Sequence, residues 1–333
     1  MKTKSIILAK RPSGMPLLSD FEIIESEVEE PLGEQLLVRN LFISVDPYMR
    51  GRMHDSKSYA ANFELGKVMH GGAVGRVEKS GSALFEPGDF VLSNNGWREW
   101  FVCEPSELRK ITPGGIPPQS YLGIMGMPGK TAYFGLLEIG KPDPGETVFV
   151  SGGAGAVGSA VCQIAKIKGC RVVASTGSNE KAAWLFEEAG VDAAIDYRET
   201  SNLGRTVRKN CPGGIDIYYD NVGGDHLQAA LSCMNTFGRI IACGMISRYN
   251  DTRPLPGPSN LSVIIAQRLK MQGFIISDHP EIDDRCESDY RRWIEEGRLK
   301  WKETIYEGIE RAPEAFIGLF KGANSGKMIV KLA

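Results

Sequence analysis

Neither sign of charge is in excess in this chain, histidine is scarce, and no two cysteines stand close together. Lys and Arg number 39 against 41 Asp and Glu, a formal net charge of −2. That balance leaves no electrostatic footprint for nucleic acid and no polybasic block for anionic lipid. Apolar runs are short, each broken by Gly, Pro or charge before the roughly 18 residues a membrane span needs. Residues 1–9 look superficially like a secretory leader, but Lys10, Arg11 and Pro12 cut the apolar part off, so a first strand is expected there. The seven cysteines (Cys103, Cys162, Cys170, Cys211, Cys233, Cys243 and Cys286) include no CxxC pair. A disulfide framework and a structural zinc lobe are therefore not expected, and a reducing cytoplasm is. There is no G-x-S-x-G elbow, and Lys130-Thr131 lacks the glycines that a Walker phosphate loop requires. The acidic clusters at 25–30 and 283–284 read as solvated faces.

What is present is an ordinary globular composition, 42% hydrophobic and 24% charged over 333 residues, enough for two or three domains with their own cores. The chain changes texture near residue 122. Before it, short β-like runs such as 35–39, 73–77 and 89–92 are separated by turn signals, among them Pro87-Gly88. An antiparallel, partly barrel-like domain is expected. After it, strands expected at 147–150, 171–175, 193–196, 215–219, 238–243 and 271–276 alternate with helices near 179–188, 225–234 and 262–270. Repeated strand–helix units of this kind imply a doubly wound parallel (Rossmann) sheet with helices on both faces. A helix at 312–321 and a strand at 328–332 are expected to return to the first domain. The expected division is 1–121 with 296–333, and 122–295.

The apolar run Thr147-Val148-Phe149-Val150 leads into Ser151-Gly152-Gly153-Ala154-Gly155-Ala156-Val157-Gly158. Val157, Val161, Ile164 and Ala165 then fall on one helical face, and Gly169 suits the position after the helix end. A G-x-G-x-x-G is weak alone; between a buried strand and an amphipathic helix it marks a dinucleotide site. Glycine allows the backbone to approach a pyrophosphate, and the helix N-terminus offers unpaired N–H groups. Some 20 residues on, where an NAD site carries an acid for the ribose hydroxyls, the chain has Ala174-Ser175-Thr176-Gly177-Ser178 and then Lys181. Small hydroxyls and a cation suit a 2′-phosphate, so NADPH is the expected cofactor. The plainer alternative makes Lys181 a solvated helix residue and Ser178 an N-cap.

Four further motifs occur in order: Asp46-Pro47-Tyr48-Met49-Arg50; Gly126-Met127-Pro128-Gly129 with Thr131-Ala132-Tyr133; Asp220-Asn221-Val222-Gly223-Gly224; and Cys243-Gly244-Met245-Ile246-Ser247-Arg248-Tyr249-Asn250. In these the chain resembles, over essentially its whole length, the zinc-independent medium-chain reductases, a group of prostaglandin/leukotriene, plant double-bond and bacterial curcumin reductases. Arg50-Gly51-Arg52-Met53 leans toward the bacterial branch. The resemblance implies a GroES-like first domain. It places Gly155, Ala156, Val157 and Gly158 at the pyrophosphate and Lys181 and Tyr197 near the 2′-phosphate. Asn221, Cys243, Gly244 and the rest of the 243–249 loop fall on the nicotinamide side, with Phe274 and Asn324 nearby. It further implies a homodimer through the parallel-sheet domain.

The activity implied is reduction of the carbon–carbon double bond of α,β-unsaturated ketones and aldehydes, with hydride added to the β-carbon of a hydrophobic enone. The resulting enolate oxygen needs a donor that keeps its proton at neutral pH, which a tyrosine hydroxyl provides. Tyr249 is the candidate; the alternative is a loop tyrosine packed on Pro254 or Pro256. Tyr48 is a second pocket candidate, for substrate, or else a core aromatic. Zinc-dependent relatives hold their metal through Cys and His. Here His70 precedes Gly71-Gly72 without a glutamate, residues 42–46 lack a thiol, and His54, His226 and His279 are unclustered, so no metal is expected. A quinone reductase and a non-catalytic NADPH-binding protein are the competing readings.

Overall fold

A computed structural model of the chain describes residues 1–332. Strands are numbered in chain order. Lys2–Leu8 (β1), Phe21–Glu27 (β2), Leu36–Ser44 (β3), Ala73–Ser80 (β4), Phe90–Ser93 (β5), Trp100–Cys103 (β6) and Arg109–Ile111 (β7) come first. Thr147–Val150 (β8), Arg171–Thr176 (β9), Ala193–Asp196 (β10), Ile215–Asp220 (β11), Met234–Ala242 (β12) and Lys270–Gly273 (β13) follow among helices, then Glu303–Glu307 (β14) and Lys327–Lys331 (β15). The chain forms two compact units, one of residues Met1–Leu122 with the segment from Glu303 onward, the other Gly123–Lys302.

The first unit is a seven-stranded sheet beside the antiparallel pair β1–β2. β3 pairs with β4 along one edge and divides the other, its first half (Leu36 to Arg39) meeting β6 and its last residues meeting β15. The strands before residue 122 pair antiparallel, as expected; the two that return from the end of the chain, β14 and β15, run parallel to each other. The helix Ala312–Lys321 lies between them in sequence, the crossover that a parallel pair requires. This helix buries Ala315, Phe316 and Leu319, spaced for one face, against Ile43, Met49, Trp97 and Met328. Trp97 stacks on Phe21 and meets Phe316 edge-on, at centroid distances of 6.0 and 6.2 Å. Beneath β3, the Lys327 ammonium donates to Asp46 Oδ1 at 2.8 Å and to the Val45 carbonyl at 2.9 Å; both side chains are buried. Asp46 also accepts the Ser44 hydroxyl.

The second unit is a six-stranded sheet in the order β10-β9-β8-β11-β12-β13, every pair parallel. Numbered within the sheet, this is 3-2-1-4-5-6, which reverses direction between β8 and β11. Ligands of such sheets bind outside the strand ends at that reversal. β8 is buried at all four positions, as a strand covered by helices on both faces must be. Its element bounds differ from expectation where polar sequence hides periodicity. The helix Leu203–Asn210, unforeseen, buries only Val207 and is capped by Asn202 Oδ1 accepting from Arg205 N–H at 2.9 Å. The helix expected at 262–270 is the single turn Val263–Ala266, because Arg268 enters the left-handed region at φ 50°. The strand expected at 271–276 is Lys270–Gly273, and that expected at 238–243 begins earlier, at Met234, where the preceding helix was expected to run on. Residues 296–302 lie with this unit: the Gln163 carboxamide accepts from Lys300 N–H and donates to its carbonyl, both at 2.8 Å. Among the described residues no helix is long and apolar enough to cross a membrane.

Candidate dinucleotide and active site

The turn after β8 is shaped by close backbone approach. Gly152 has φ 62°, a left-handed conformation that disfavours a side chain. A Cβ at Gly158 would stand 2.3 Å from the Gly152 carbonyl oxygen. The helix Ala156–Ile167 therefore starts hard against the turn, with Gly155 at its N-cap and no side chain capping it. The N–H groups of Ala156, Val157 and Gly158 have no partner within the helix, and Gly155 to Val157 are partly exposed. The cradle fits a pyrophosphate in charge and in shape.

At the end of β9 the Ser178 hydroxyl accepts from Lys181 N–H at 3.3 Å, so Ser178 is the N-cap of the helix Asn179–Glu187. The Lys181 ammonium is half-buried, and its pKa is lowered from the ordinary 10.5 by burial first and by the charge of Arg198 second. Arg198, which sequence reasoning passed over, follows Tyr197 on the short turn after β10. A Cβ on Gly177 would lie 3.1 Å from the Tyr197 hydroxyl and 3.3 Å from Arg198 Nε. Arg198 and the Tyr197 phenol thus stand beside Gly177, and Lys181 is near enough to feel the Arg198 charge, an arrangement that suits a dianion. The signal available was adjacency alone: Arg198 is next to a residue already singled out. Tyr197 meets the buried His226 ring edge-on at 4.9 Å, and burial pushes that imidazole down to about 4.

The ends of β11 and β12 carry the remaining groups. The Asn221 carboxamide donates to the Ser151 carbonyl at 2.8 Å, tying the 221–224 turn to the glycine turn. Cys243 and Gly244 both donate their N–H groups to the Asp220 carbonyl at 3.0 Å. Burial raises the Cys243 thiol to about 12, although the residue keeps some exposure. The loop then turns so that the Tyr249 hydroxyl returns to Met245 N–H, 3.2 Å away. The proline segment, with Gly224, Leu227, Met245 and Arg248, lines an adjoining groove of about 570 Å³. Phe274 lies just beyond β13 with its ring 5.4 Å from Phe134.

Tyr48 and Asn324 belong to the first unit. Tyr48 packs on its main core beside Asp46, Arg52 and Tyr59. Burial first, and the Asp46 charge second, hold its phenol well above the ordinary tyrosine range, so it stays protonated. Asn324 donates to the Gly326 carbonyl at 2.8 Å in the turn before β15. Burial first, and then the charges of Arg98 and Arg52, lower the pKa of His70, surroundings that disfavour a cation. Among the described residues no group of three His, Cys, Asp or Glu could hold a metal ion.

Residues 4–111 match the family model described as the N-terminal domain of oxidoreductase, and residues 156–292 that of zinc-binding dehydrogenase. The NADPH-dependent curcumin reductase of Escherichia coli is 41% identical over 98% of this chain and 96% of its own length. Prostaglandin reductase 1 of Bos taurus is 43% identical over 98% of each. The crystal structure of CurA from Vibrio vulnificus in complex with NADPH superposes with a TM-score of 0.95, at 41% identity over 99% of both chains.

Proposed function

The chain belongs to the medium-chain dehydrogenase/reductase family, in the group of the curcumin and prostaglandin reductases, and from that membership we propose that it reduces the carbon–carbon double bond of hydrophobic α,β-unsaturated ketones and aldehydes. It is an NADPH-dependent oxidoreductase. Bound NADPH supplies the hydride that the β-carbon receives. The protein's own part is binding, orientation and stabilisation of charge. Gly155 to Gly158 hold the pyrophosphate against the helix N-terminus, and Lys181, Tyr197 and Arg198 take the 2′-phosphate. Asn221, Cys243, Gly244, Phe274 and Asn324 are assigned to the nicotinamide end, and Tyr48 to the substrate.

The observation that carries the chemistry is the Tyr249 loop. Negative charge develops on the carbonyl oxygen as the enolate forms, and a fixed donor aimed at that oxygen lowers the barrier. The Tyr249 hydroxyl is held by the Met245 N–H of its own loop after β12, beside the residues assigned to the cofactor. The test is product identity. Purified protein with NADPH and an enone should give the saturated ketone; the allylic alcohol, or turnover of quinones but no enone, overturns the reading.

A homodimer is also proposed. β13 is the last strand of its sheet, and Met271, Leu261 and Ile265 near it are 38%, 47% and 81% exposed. A bare parallel-sheet edge flanked by large apolar side chains suits a second copy across a twofold axis. The seven unpaired thiols suit a reducing cytoplasm.

A further inference from the structure

Asp220, the last residue of β11, is fully buried, and no step assigned above uses it. Its Oδ1 accepts from the Tyr218 hydroxyl and the Gly223 N–H, both at 2.7 Å, from the Val222 N–H at 3.0 Å and from the Ser151 hydroxyl at 3.1 Å. The Ser151 oxygen in turn accepts the Asn221 N–H at 3.0 Å. One carboxylate oxygen thus closes the 221–223 turn and ties it to the end of β8. The main-chain carbonyl of the same residue accepts Cys243 and Gly244, which open the Tyr249 loop. That loop is fastened again to the turn: Ser247 donates its hydroxyl to the Val222 carbonyl at 2.6 Å and its N–H at 3.2 Å. Burying a carboxylate is costly, and here burial raises its pKa against the pull of its donors. A turn needing only to be closed could use a neutral acceptor.

We propose that Asp220 is a positioning residue, whose Oδ1 and carbonyl oxygen together fix the 221–223 turn and the 243–249 loop and so set where the Tyr249 hydroxyl stands. The assignment rests on the reading of Tyr249 as donor to the enolate oxygen. Tyr218→Phe removes one donor to Oδ1 and keeps the ring that stacks on Phe149 at 5.3 Å; Ser247→Ala removes one fastening of the loop. Each should lower kcat about fivefold to tenfold while the Kd for NADPH stays within about twofold, the size expected for loss of one hydrogen bond felt in the transition state. In a Tyr249→Phe background neither should lower kcat further, because the group being positioned has lost its hydroxyl. Asp220→Asn keeps an acceptor at Oδ1 and should retain more kcat than Asp220→Ala; if both fail to fold, the Tyr218 and Ser247 variants decide. Equal losses with and without the Tyr249 hydroxyl, or unchanged kcat in folded Tyr218→Phe and Ser247→Ala proteins, overturn the positioning role alone. Full kcat in Tyr249→Phe itself overturns the reading of Tyr249, and this inference with it.

Discussion

The hydroxyl of Tyr249 accepts the N–H of Met245 at 3.2 Å, within its own loop. An N–H donating to the phenol oxygen polarises the O–H and makes it a stronger donor in turn. The same N–H faces the charge that shifts onto the phenol as it shares its proton with an enolate. Tyr249→Phe should therefore lower kcat by about tenfold to a hundredfold, the range for removal of one oxyanion donor with part of the field remaining. NADPH affinity, measured by cofactor fluorescence, should hold. A loss of affinity with no loss of kcat would assign Tyr249 to the cofactor instead.

Cofactor choice should reside in the cations around Gly177. Lys181→Ala and Arg198→Ala should each raise the KM for NADPH by about tenfold or more, the worth of a charge-assisted hydrogen bond, and leave NADH little changed. The ratio of kcat/KM for the two cofactors is the quantity to measure. Equal effects on both would remove the 2′-phosphate contact.

Acid should weaken the second unit through His226. Its folded pKa of about 4 lies below the ordinary 6.5, because burial penalises the charged ring. The unfolded chain then binds the proton more readily, so the stability contributed is full above pH 6.5 and is lost as the pH falls toward 4. The shift corresponds to about 3 kcal/mol at most. His226→Phe should flatten the fall in Tm between pH 7 and pH 5; an unchanged slope would place the acid sensitivity elsewhere.

The bare edge at β13 predicts an association that one surface charge should disrupt. Ile265→Asp should convert dimer to monomer in light scattering at micromolar concentration, with the circular dichroism spectrum unchanged. A wild-type monomer, or an unaltered dimer, would move the interface away from this edge.

The parts of this architecture legible in the sequence were those in which one residue type has one physical use. The apolar run at β8 and the glycines after it marked the parallel sheet, and the absence of an acid after β9 marked NADPH as the cofactor. Elements with mixed composition were not legible. The Leu203–Asn210 helix buries a single side chain, so its periodicity carries no signal, and the helix at Val263–Ala266 stops at a left-handed arginine that no local rule anticipates. At the site, Arg198 and Asp220 escaped for opposite reasons. Arg198 is an exposed charge among many, and its place beside Lys181 and Gly177 depends on how β10 lies against β9. Asp220 sits in a recognised motif, but its hydrogen bonds reach residues as far away in the chain as Ser151.

The buried pair of Lys327 and Asp46 joins positions 281 residues apart, and β15 stands inside its sheet, between β14 and β3. During synthesis, Asp46 leaves the ribosome long before its partner exists. The first-made strands are complete in sequence before their neighbour β15 exists, whereas Gly123–Lys302 is continuous in the chain. The order of translation thus completes the second unit while the first, which begins the chain, still lacks its last strands. A product terminated after Lys302 would hold every residue of the second unit and lack both β14 and β15 of the first.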